Sequence, residues 1–448
     1  MGHGRARRRR NRQRISCGKR AVPVTSRCCV RFLQWSHSVG AGMSQLLRPA
    51  MFPGTGRGMM ATRRIEPGEC IASVPRQRLV TCADVKLQLE VEIHQDTMDK
   101  SSNAAGLDDV SILAVFILVE RSKGSTSQWS HYLDVLPDAY ELPVCFAADE
   151  LALLPLSLLE RVRTQRSHLV EQHERASKLL TTLVPDLQYE RFLNAWCAVN
   201  TRTVYLSESS TGNPATDDGD TSAGNCALAP YLDFLNHSPG ARVTAGYNSS
   251  TRRYDIVTQD RYRHGDEVFI CYGPHDNQRL LLEYGFVLDD NPHCSVMLGL
   301  LQLIPLAAGE HAFVAALWCD RRRSQILVEA ELDTVNPTAD GCGWKLLAAL
   351  DILVLDAAEL DSWHAYVYGV RTLADVARRE LKGRVGVCLC AAARCHLLPS
   401  REKLNGIVRC DGSSANARTA ATLSLQQHAI LDTAEAELNA LSTDAAVG

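Results

Sequence analysis

Two short segments of the chain carry residue types that could do chemistry. Residues 233–238 end an apolar run in the pair Asn236-His237, and residues 268–273 end a second apolar run in Tyr272. An amide, an imidazole and a phenol can all hold a ligand by hydrogen bonds, and the last two can also carry a proton. The spacing therefore predicts a cofactor or proton-handling site at the ends of two strands.

Each of these features also has an ordinary structural explanation. Asn and Ser before Pro239 are common turn residues, a single histidine is usually structural, and Tyr272 could be a half-buried strand residue. The order of features favours a site. A glycine-rich segment, a helical block, an Asn-His pair at a strand end and a tyrosine at the next strand end follow one another along the chain.

The glycine-rich segment, residues 54–58, includes Gly56, Arg57 and Gly58. It lacks the Lys-Ser/Thr ending of a phosphate-binding loop and leads into a strand-like run rather than a helix, which also excludes a dinucleotide fingerprint. Glycines let a backbone approach a ligand closely and adopt positive φ angles. The segment is thus a candidate ligand loop, with an ordinary glycine-rich turn as the alternative.

Strand-like runs must position these residues. The runs at 59–62 and 70–75 flank Pro67-Gly68, and together they predict a β-hairpin that starts at the glycine-rich segment. Further strands are predicted at 227–235, 243–248, 253–257 and 267–272.

Helical periodicity dominates the chain between about 84 and 205 and again beyond Pro292. Asp108-Asp109 is placed to cap one helix, and residues 189–200 predict another. Strands that are interrupted by a helical block and followed by a helical region predict an α+β fold.

The chain resembles the SET-domain protein methyltransferases, in particular the group that includes Rubisco large-subunit methyltransferase and the actin-histidine methyltransferase. Four segments carry this resemblance: 53–58, 195–202, 229–239 and 270–278. The resemblance implies a basic disordered segment over 1–45, then a SET domain over 46–295 with a helical insert at about 84–224. A helical substrate-binding domain of the Rubisco-methyltransferase type would follow over 296–440.

By matching position, the resemblance implies a site for S-adenosylmethionine. The implied cofactor-binding residues are Gly56, Arg57, Gly58, Arg202, Asp233, Asn236, His237, Tyr272, Tyr284, Gly285 and Phe286. Tyr272 is also the implied catalytic residue and would face the transferring methyl group. Arg202 would approach the cofactor carboxylate, and residues 284–286 would wall the adenine end.

The resemblance implies a protein-lysine N-methyltransferase that acts on a histone or non-histone protein. A lysine must react as the neutral amine, and burial beside a sulfonium cation would depress its pKa. Tyr272 suits orientation of that amine better than proton abstraction, because a phenol has an ordinary pKa near 10. Histidine methylation, or a SET-shaped scaffold that binds protein tails without turnover, are the alternatives.

The cysteines predict no metal site. Cys388, Cys390 and Cys395 have the spacing of the zinc-binding segment of some histone methyltransferases. Residues 238–240 supply no thiol after the Asn-His pair, so a fourth ligand is missing, and the alanines around the cysteines are typical of a helix. The 16 cysteines are scattered and favour reduced core thiols.

Composition and charge indicate the class of protein and its cellular location. The chain has 448 residues, 46% of them hydrophobic and 22% charged, and no apolar run that reaches the length of a membrane-spanning helix. Its first twenty residues include nine Arg or Lys and no acid. This block predicts nuclear import or nucleic-acid contact, with a transit peptide or an inert tail as alternatives. We expect a nuclear and cytoplasmic protein without membrane contact.

Overall fold

The computed structural model of the chain describes residues 21–40, 46–96, 106–206, 226–318, 321–373 and 375–443. The Arg-rich block at residues 1–20 lies outside the described residues. Along the described part, no helix combines the length and the apolar character needed to cross a bilayer.

The α+β fold predicted from the sequence is confirmed, with strands concentrated in the first two thirds of the described chain. The strands are β1 Val22–Pro23, β2 Leu47–Phe52, β3 Gly56–Ala61, β4 Cys70–Pro75, β5 Val80–Thr81, β6 Thr203–Tyr205, β7 Cys226–Leu228, β8 Asn236–His237, β9 Val243–Asn248, β10 Arg253–Thr258, β11 Glu267–Ile270, β12 Leu298–Gly299 and β13 Thr334–Val335.

The α-helices make up most of the remaining regular structure. They are α1 Arg27–Ser38, α2 Cys82–Asp96, α3 Asp109–Ser122, α4 Ser130–Leu133, α5 Ala148–Leu151, α6 Leu156–Leu179, α7 Tyr189–Asn200, α8 Asn277–Tyr284, α9 Leu300–Glu310, α10 Ala312–Trp318, α11 Arg321–Glu329, α12 Gly343–Val354, α13 Trp363–Val367, α14 Val376–Leu397, α15 Arg401–Arg409 and α16 Ala415–Thr443.

The described chain packs as two compact units. The first unit contains the residues up to Leu79 and those from Ala229 to Cys271, and the second contains Val80–Tyr205, β7 and the residues from Tyr272 onward. The first unit holds two sheets, with strand orders β1-β2-β3-β11-β8 and β4-β10-β9. The second holds the sheet β5-β7-β6, the pair β12-β13 and most of the helices.

The glycine-rich segment forms a different hairpin from the one predicted. β3 pairs with β2, from Leu47↔Ala61 to Phe52↔Gly56, whereas β4 pairs with β10 in the other sheet. The tight turn at Pro67-Gly68 is present, since Glu69 N donates to Glu66 O over 3.2 Å. The predicted hairpin is wrong because this turn connects two sheets and does not close one strand pair.

The predicted strand over 227–235 is also wrong. β7 ends at Leu228, a 3-10 turn covers Leu232–Phe234, and β8 holds only Asn236 and His237. Pro230 has no N–H to donate to a ladder, which is one reason that the strand stops here. The predicted strands at 243–248 and 253–257 match β9 and β10 closely.

Two helix predictions are confirmed. α7 covers Tyr189–Asn200, as the periodicity indicated. Asp108 caps α3 through its carboxylate, which accepts from Ser111 N over 2.6 Å.

Disorder was expected over the whole of 1–45, but residues 21–40 belong to the fold. Ser26 caps α1, and Phe32 of this helix is fully buried and stacks on Phe234 with ring centroids 5.1 Å apart. The apolar spacing of Cys29 and Phe32 gives α1 a buried face, so burial outweighs the basic character of its neighbourhood.

The C-terminal helices have two cores within the second unit. Buried apolar residues between Val296 and Leu438 form one of them. A second core joins residues of α15 and α16 to α5, α6 and α8, with Leu158, Leu281 and Leu404 all fully buried. The domain boundary near residue 295 stays a prediction, and packing in the second unit runs across it. Cys388, Cys390 and Cys395 all lie on α14.

Candidate functional site

The glycine-rich turn leaves its backbone open on one side. Gly54 and Gly56 have φ angles of +97° and +72°, which L side chains rarely adopt. An ideal Cβ built on Gly54 or Gly56 meets no described atom within 4 Å. A ligand could therefore approach this turn along its main chain.

Gly58 stands in a contrasting environment, two residues into β3. A Cβ at this position would lie 2.5 Å from Glu267 Oε1 and 2.7 Å from Asn236 Nδ2. Only a glycine leaves room for these two side chains to meet beside the strand. Gly58 is required here by close packing, and its predicted role in cofactor binding stays a prediction.

Asn236 and Glu267 form a polar cluster with the glycine-rich turn, in which Glu267 is buried and Asn236 is half-buried. Asn236 Nδ2 donates to Glu267 Oε1 over 2.8 Å and to Arg57 O over 3.1 Å. Thr55 Oγ1 donates to the other carboxylate oxygen of Glu267 over 2.7 Å. We call Thr55, Arg57, Gly58, Asn236 and Glu267 the Glu267 cluster.

Burial makes the Glu267 carboxyl the electrostatic centre of this cluster. Glu267 is only 7% exposed. Desolvation raises the pKa of its carboxyl above the ordinary value. The hydrogen bonds from Asn236 and Thr55 act in the opposite direction, because they stabilise the ionised form. The Glu267 carboxylate therefore links the glycine-rich turn to Asn236, and its desolvation costs free energy.

His237 is held by the strand pairing beside Asn236. β8 runs parallel to β11, with Phe269 opposite Asn236 and Ile270 opposite His237. Ser238 N then donates to Ile270 O over 2.9 Å, and His237 is only 5% exposed. This burial in the ladder suits a framework residue better than a general base.

Asp233 shapes the turn that precedes Asn236. Tyr231 is buried and has a φ of +85°, an unusual value for a residue with a side chain. Its N–H donates to Asp233 Oδ1 over 3.1 Å, so the Asp233 carboxylate stabilises the strained backbone. The structure thus gives Asp233 a local role in positioning the segment that enters β8.

Arg57 packs its guanidinium over the ring of Phe234, with 4.4 Å between Cζ and the ring centroid. Phe234 stacks in turn on Phe32 of α1. The cation–π contact holds the Arg57 side chain against the first unit while its carbonyl oxygen accepts from Asn236.

The remaining predicted residues lie in the second unit and are largely aromatic. The ring centroids of Tyr272 and Tyr284 are 4.7 Å apart, those of Tyr284 and Phe286 6.3 Å, and those of His275 and Tyr284 6.2 Å. We call Tyr272, His275, Tyr284 and Phe286 the aromatic segment. Tyr284 is half-buried by area, yet desolvation of its hydroxyl raises the pKa to about 12.

Gly285 ends α8 in the left-handed conformation, with a φ of +84°. A Cβ here would lie 3.0 Å from Glu141 O, so both backbone conformation and space require glycine. Gly285 thereby turns the chain between Tyr284 and Phe286.

Arg202 follows the C-terminal end of α7. Asn200, two residues before it, donates to Glu283 O over 3.0 Å and so links α7 to the end of α8. Desolvation raises the pKa of Tyr140 to about 12, and the charge of Arg202 opposes that rise. Arg202 is thus placed beside a tyrosine hydroxyl and near the helix end that carries Tyr284.

The predicted residues therefore divide between the two units. Gly56, Arg57, Gly58, Asp233, Asn236 and His237 lie in the first unit, and Arg202, Tyr272, Tyr284, Gly285 and Phe286 lie in the second. Sequence reasoning missed Glu267, Thr55 and Tyr231. An acidic residue at the start of the apolar run 267–270 was the available signal for Glu267.

Comparison with known families identifies the first part of the chain. The SET domain family model matches residues 56–273, a range that includes Gly56 to Gly58 of the glycine-rich turn, the Asn-His pair and Tyr272.

Individual relatives are also similar over most of this chain. SET domain-containing protein 4 of Mus musculus is 37% identical over 384 residues, which is 82% of this chain and 82% of the mouse protein. The Homo sapiens protein of the same name is 36% identical, over 72% of each chain. Actin-histidine N-methyltransferase of Drosophila melanogaster is 27% identical, over 74% of this chain and 61% of the fly protein.

Solved structures share the fold. The structure of Rubisco LSMT bound to AdoMet superimposes with a TM-score of 0.63 at 16% identity, over 94% of this chain and 93% of that chain. Another structure of that enzyme, bound to lysine and AdoHcy, gives the same values. By these matches, the chain belongs to the SET-domain family of S-adenosylmethionine-dependent methyltransferases.

Proposed function

We propose that this chain is a protein-lysine N-methyltransferase and that Tyr272 is its catalytic residue. The observation that carries the proposal is the packing of the Tyr272 ring on Tyr284, with 4.7 Å between centroids. A phenol that orients a reacting amine needs a fixed ring, and this contact supplies one. The lysine assignment is supported by the shared fold of an enzyme solved with bound lysine.

The glycine-rich turn fits a cofactor that is bound through the main chain. Space is open beside Gly54 and Gly56. Asn236 and Arg57 are fixed by the Glu267 cluster, and Arg202 offers a cation for a carboxylate group. When bound, S-adenosylmethionine supplies an electrophilic methyl group on a sulfonium sulfur.

The protein's own contribution is alignment and exclusion of water. Tyr272 would hold the amine in line with the methyl group, which is the main requirement of an in-line displacement. Phe286 and Tyr284 offer apolar ring faces for an adenine. Tyr284 stays protonated at neutral pH, because its hydroxyl has a pKa of about 12 and adds no negative charge. His237 is buried in the β8–β11 ladder and would serve as framework.

The experiment combines cofactor binding with identification of the product. Calorimetric titration of the full chain with S-adenosylmethionine should show one binding event. Mass spectrometry of proteins labelled from methyl-labelled cofactor should then locate the modified residue. Methyl-lysine in a protein substrate supports the proposal. Binding without any transfer supports the scaffold alternative and overturns the enzymatic proposal.

Histidine methylation is a second candidate function. It is favoured by the 27% identity to an actin-histidine N-methyltransferase over 74% of this chain. The same mass spectra decide between the two, because fragment ions place the methyl group on an imidazole or on an amine.

Nuclear and cytoplasmic localisation, with nucleic-acid contact through residues 1–20, remains part of the proposal. It is supported by the nine basic residues of that block. Deleting residues 1–20 should reduce nuclear accumulation and leave transfer to a short peptide unchanged. An unaltered distribution in cells would reject it.

A further inference from the structure

Two cysteines meet across the sheet β5-β7-β6 of the second unit. Val80 pairs with Leu228 and Thr81 pairs with Ala227 in the antiparallel β5–β7 ladder. The next position in this register places Cys82 opposite Cys226. The backbone pairing therefore brings these two thiols together, although they are 144 residues apart in the sequence.

A carboxylate completes the group. The thiol sulfurs of Cys82 and Cys226 and a carboxylate oxygen of Asp109 all lie within 4.8 Å of one another. Cys82 is buried, and Cys226 and Asp109 are half-buried. None of the three residues is among those predicted to bind the cofactor.

Helix capping and strand pairing fix the backbone that carries Cys82, Cys226 and Asp109. Thr81 and Asp84 cap the start of α2, with Thr81 Oγ1 donating to Asp84 Oδ2 over 2.6 Å, and this capping fixes Cys82. Asp109 is the first residue of α3, which is capped by Asp108. β7 pairs with both β5 and β6, and Cys226 itself lies opposite Tyr205 of β6.

The Cys82 and Cys226 thiols are in hydrogen-bond contact, which shifts their pKa values in opposite directions. The hydrogen bond from the Cys82 thiol lowers the pKa of Cys226, while that contact and burial raise the pKa of Cys82. The Cys82 sulfur also lies 3.3 Å from Asp109 O. The Cys82 thiol thus contacts both the Cys226 thiol and the first residue of α3.

We propose that Cys82, Cys226 and Asp109 bind one zinc ion, with a water at the fourth position. Two sulfurs and one carboxylate oxygen are a zinc donor set, whereas calcium and magnesium take oxygen ligands alone. Zinc bonds of about 2.3 Å to sulfur and about 2.0–2.2 Å to oxygen need donor atoms roughly 3.5–3.8 Å apart, which is compatible with donor atoms that all lie within 4.8 Å of one another. Binding releases the thiol protons of Cys82 and Cys226.

The ion would act as a structural clip. It would join the end of the β5–β7 ladder to the first turn of α3, whose apolar residues Ile112 to Val119 are almost fully buried. The sequence predicted no metal site, because the cysteine motif at 388–395 lacks a fourth ligand. The three proposed ligands are separated by 27 and 117 positions, so no local spacing reveals them.

The test begins with the metal content of the full chain. The protein is purified in a non-thiol reductant, reconstituted with zinc, freed of excess metal and measured by elemental mass spectrometry. We expect about one zinc per chain, and cobalt in its place should give a thiolate-to-cobalt charge-transfer band. Absence of bound metal in the protein with both thiols reduced would overturn the proposal.

Two variants with matched controls locate the site. Cys226→Ser and Asp109→Asn should each weaken zinc binding by more than the roughly 10- to 100-fold that follows loss of an outer-shell partner. Cys410→Ser removes an exposed thiol, and Asp149→Asn removes an exposed acid from the first turn of α5, so both should bind zinc as the wild type does. Equal zinc binding by the site variants and their controls would contradict the assignment.

A chelator provides a second readout, measured on the wild type and on Asp109→Asn. Zinc that clips α3 to the sheet adds to folding stability in proportion to its occupancy. Chelation should therefore lower the melting temperature of the wild type and leave that of Asp109→Asn unchanged. The same shift in both proteins would show that the metal is bound elsewhere.

Discussion

The Glu267 cluster and the aromatic segment are held together by different kinds of interaction. The Glu267 cluster relies on a desolvated carboxyl whose two oxygens each accept one side-chain hydrogen bond, at 2.7 and 2.8 Å. The aromatic segment relies on ring contacts with centroid separations of 4.7 to 6.3 Å. The first is directional and short in range, whereas the second is broad and apolar.

This difference predicts different sensitivities to substitution. Hydrogen-bonded groups that are buried tolerate neither an extra atom nor the loss of a partner, because an unsatisfied polar group is left behind. Ring packing tolerates loss of one peripheral atom, because most of the contact area remains. Tyr272 is the expected exception, since its hydroxyl would act on the reacting groups.

Tyr272→Phe should have the largest effect. Turnover should fall on the order of a hundredfold or more, because an orienting hydroxyl is lost at the reacting centre. Cofactor affinity and melting temperature should change little, since the ring contact with Tyr284 is retained. Tyr368→Phe, at an exposed tyrosine of the C-terminal region, is the matched control and should be silent. Near-normal turnover of Tyr272→Phe would remove Tyr272 from the catalytic role.

Gly58→Ala should break the Glu267 cluster. Its new Cβ would lie 2.5 Å from Glu267 Oε1 and 2.7 Å from Asn236 Nδ2. Overpacking of this kind typically destabilises by about 1–3 kcal/mol. If the bound state is strained by about 1.4 kcal/mol more than the free state, cofactor affinity falls about tenfold.

Gly240→Ala is the control for that prediction. Gly240 lies in the loop after β8, and an added Cβ meets no described atom within 4 Å. Chemical denaturation and calorimetry on both variants would check the comparison. Equal stability of the two alanine variants would show that the close packing at Gly58 has no energetic consequence.

Residue types and local periodicity predicted a large part of this arrangement. The amphipathic spacing of residues 189–200 predicted α7 to the residue, and Asp108 was recognised as a helix cap because that role is local. Asn236, His237 and Tyr272 were identified by type and by position after apolar runs. Each of these signals is contained within a few neighbouring residues.

The partners of those residues could not be predicted in the same way. Glu267 joins Asn236 and Thr55, which lie 31 and 212 positions away along the chain. The pairing of β3 with β2 depended on recognising residues 47–52 as a strand, and Pro49 within that run argued against it.

The core around Leu404 was hidden for a similar reason. Apolar positions on α15 and α16 indicate a buried face, but not that α6 and α8 cover it. A chain cut near residue 295 would therefore expose Leu281 and Leu158, which are fully buried in that core. Aggregation of such a fragment would show that this shared core had been broken. It would not test whether the C-terminal helices bind the substrate.

Glu267→Gln should have a moderate effect with a distinctive pH dependence. Glutamine offers one acceptor oxygen where the carboxylate offers two, so the loss of one hydrogen bond should destabilise by about 0.5–1.5 kcal/mol near neutral pH. The pKa of Glu267 is raised in the folded state, so the native protein holds a proton that the unfolded chain has released. Its free energy of unfolding therefore falls as pH rises from the ordinary value of 4.5 to the folded-state pKa.

The Glu267→Gln protein should lack this component. Denaturation midpoints measured across the acidic range would show the wild type losing stability relative to the variant as pH increases. Parallel curves for the two proteins would mean that the carboxyl is not desolvated in the native state.

Tyr284→Phe should have the smallest effect, although it makes the same one-atom change as Tyr272→Phe in the adjacent ring. Desolvation raises the pKa of Tyr284 to about 12, so its hydroxyl stays protonated across the range in which the protein is assayed. The ring contacts with Tyr272 and Phe286 survive, and stability should change by less than about 1.5 kcal/mol. Turnover should stay within a few-fold of the wild type, and its pH profile should be unchanged. If Tyr284→Phe instead matched the loss seen with Tyr272→Phe, the two hydroxyls would act together, and the aromatic segment would be a directional polar site like the Glu267 cluster.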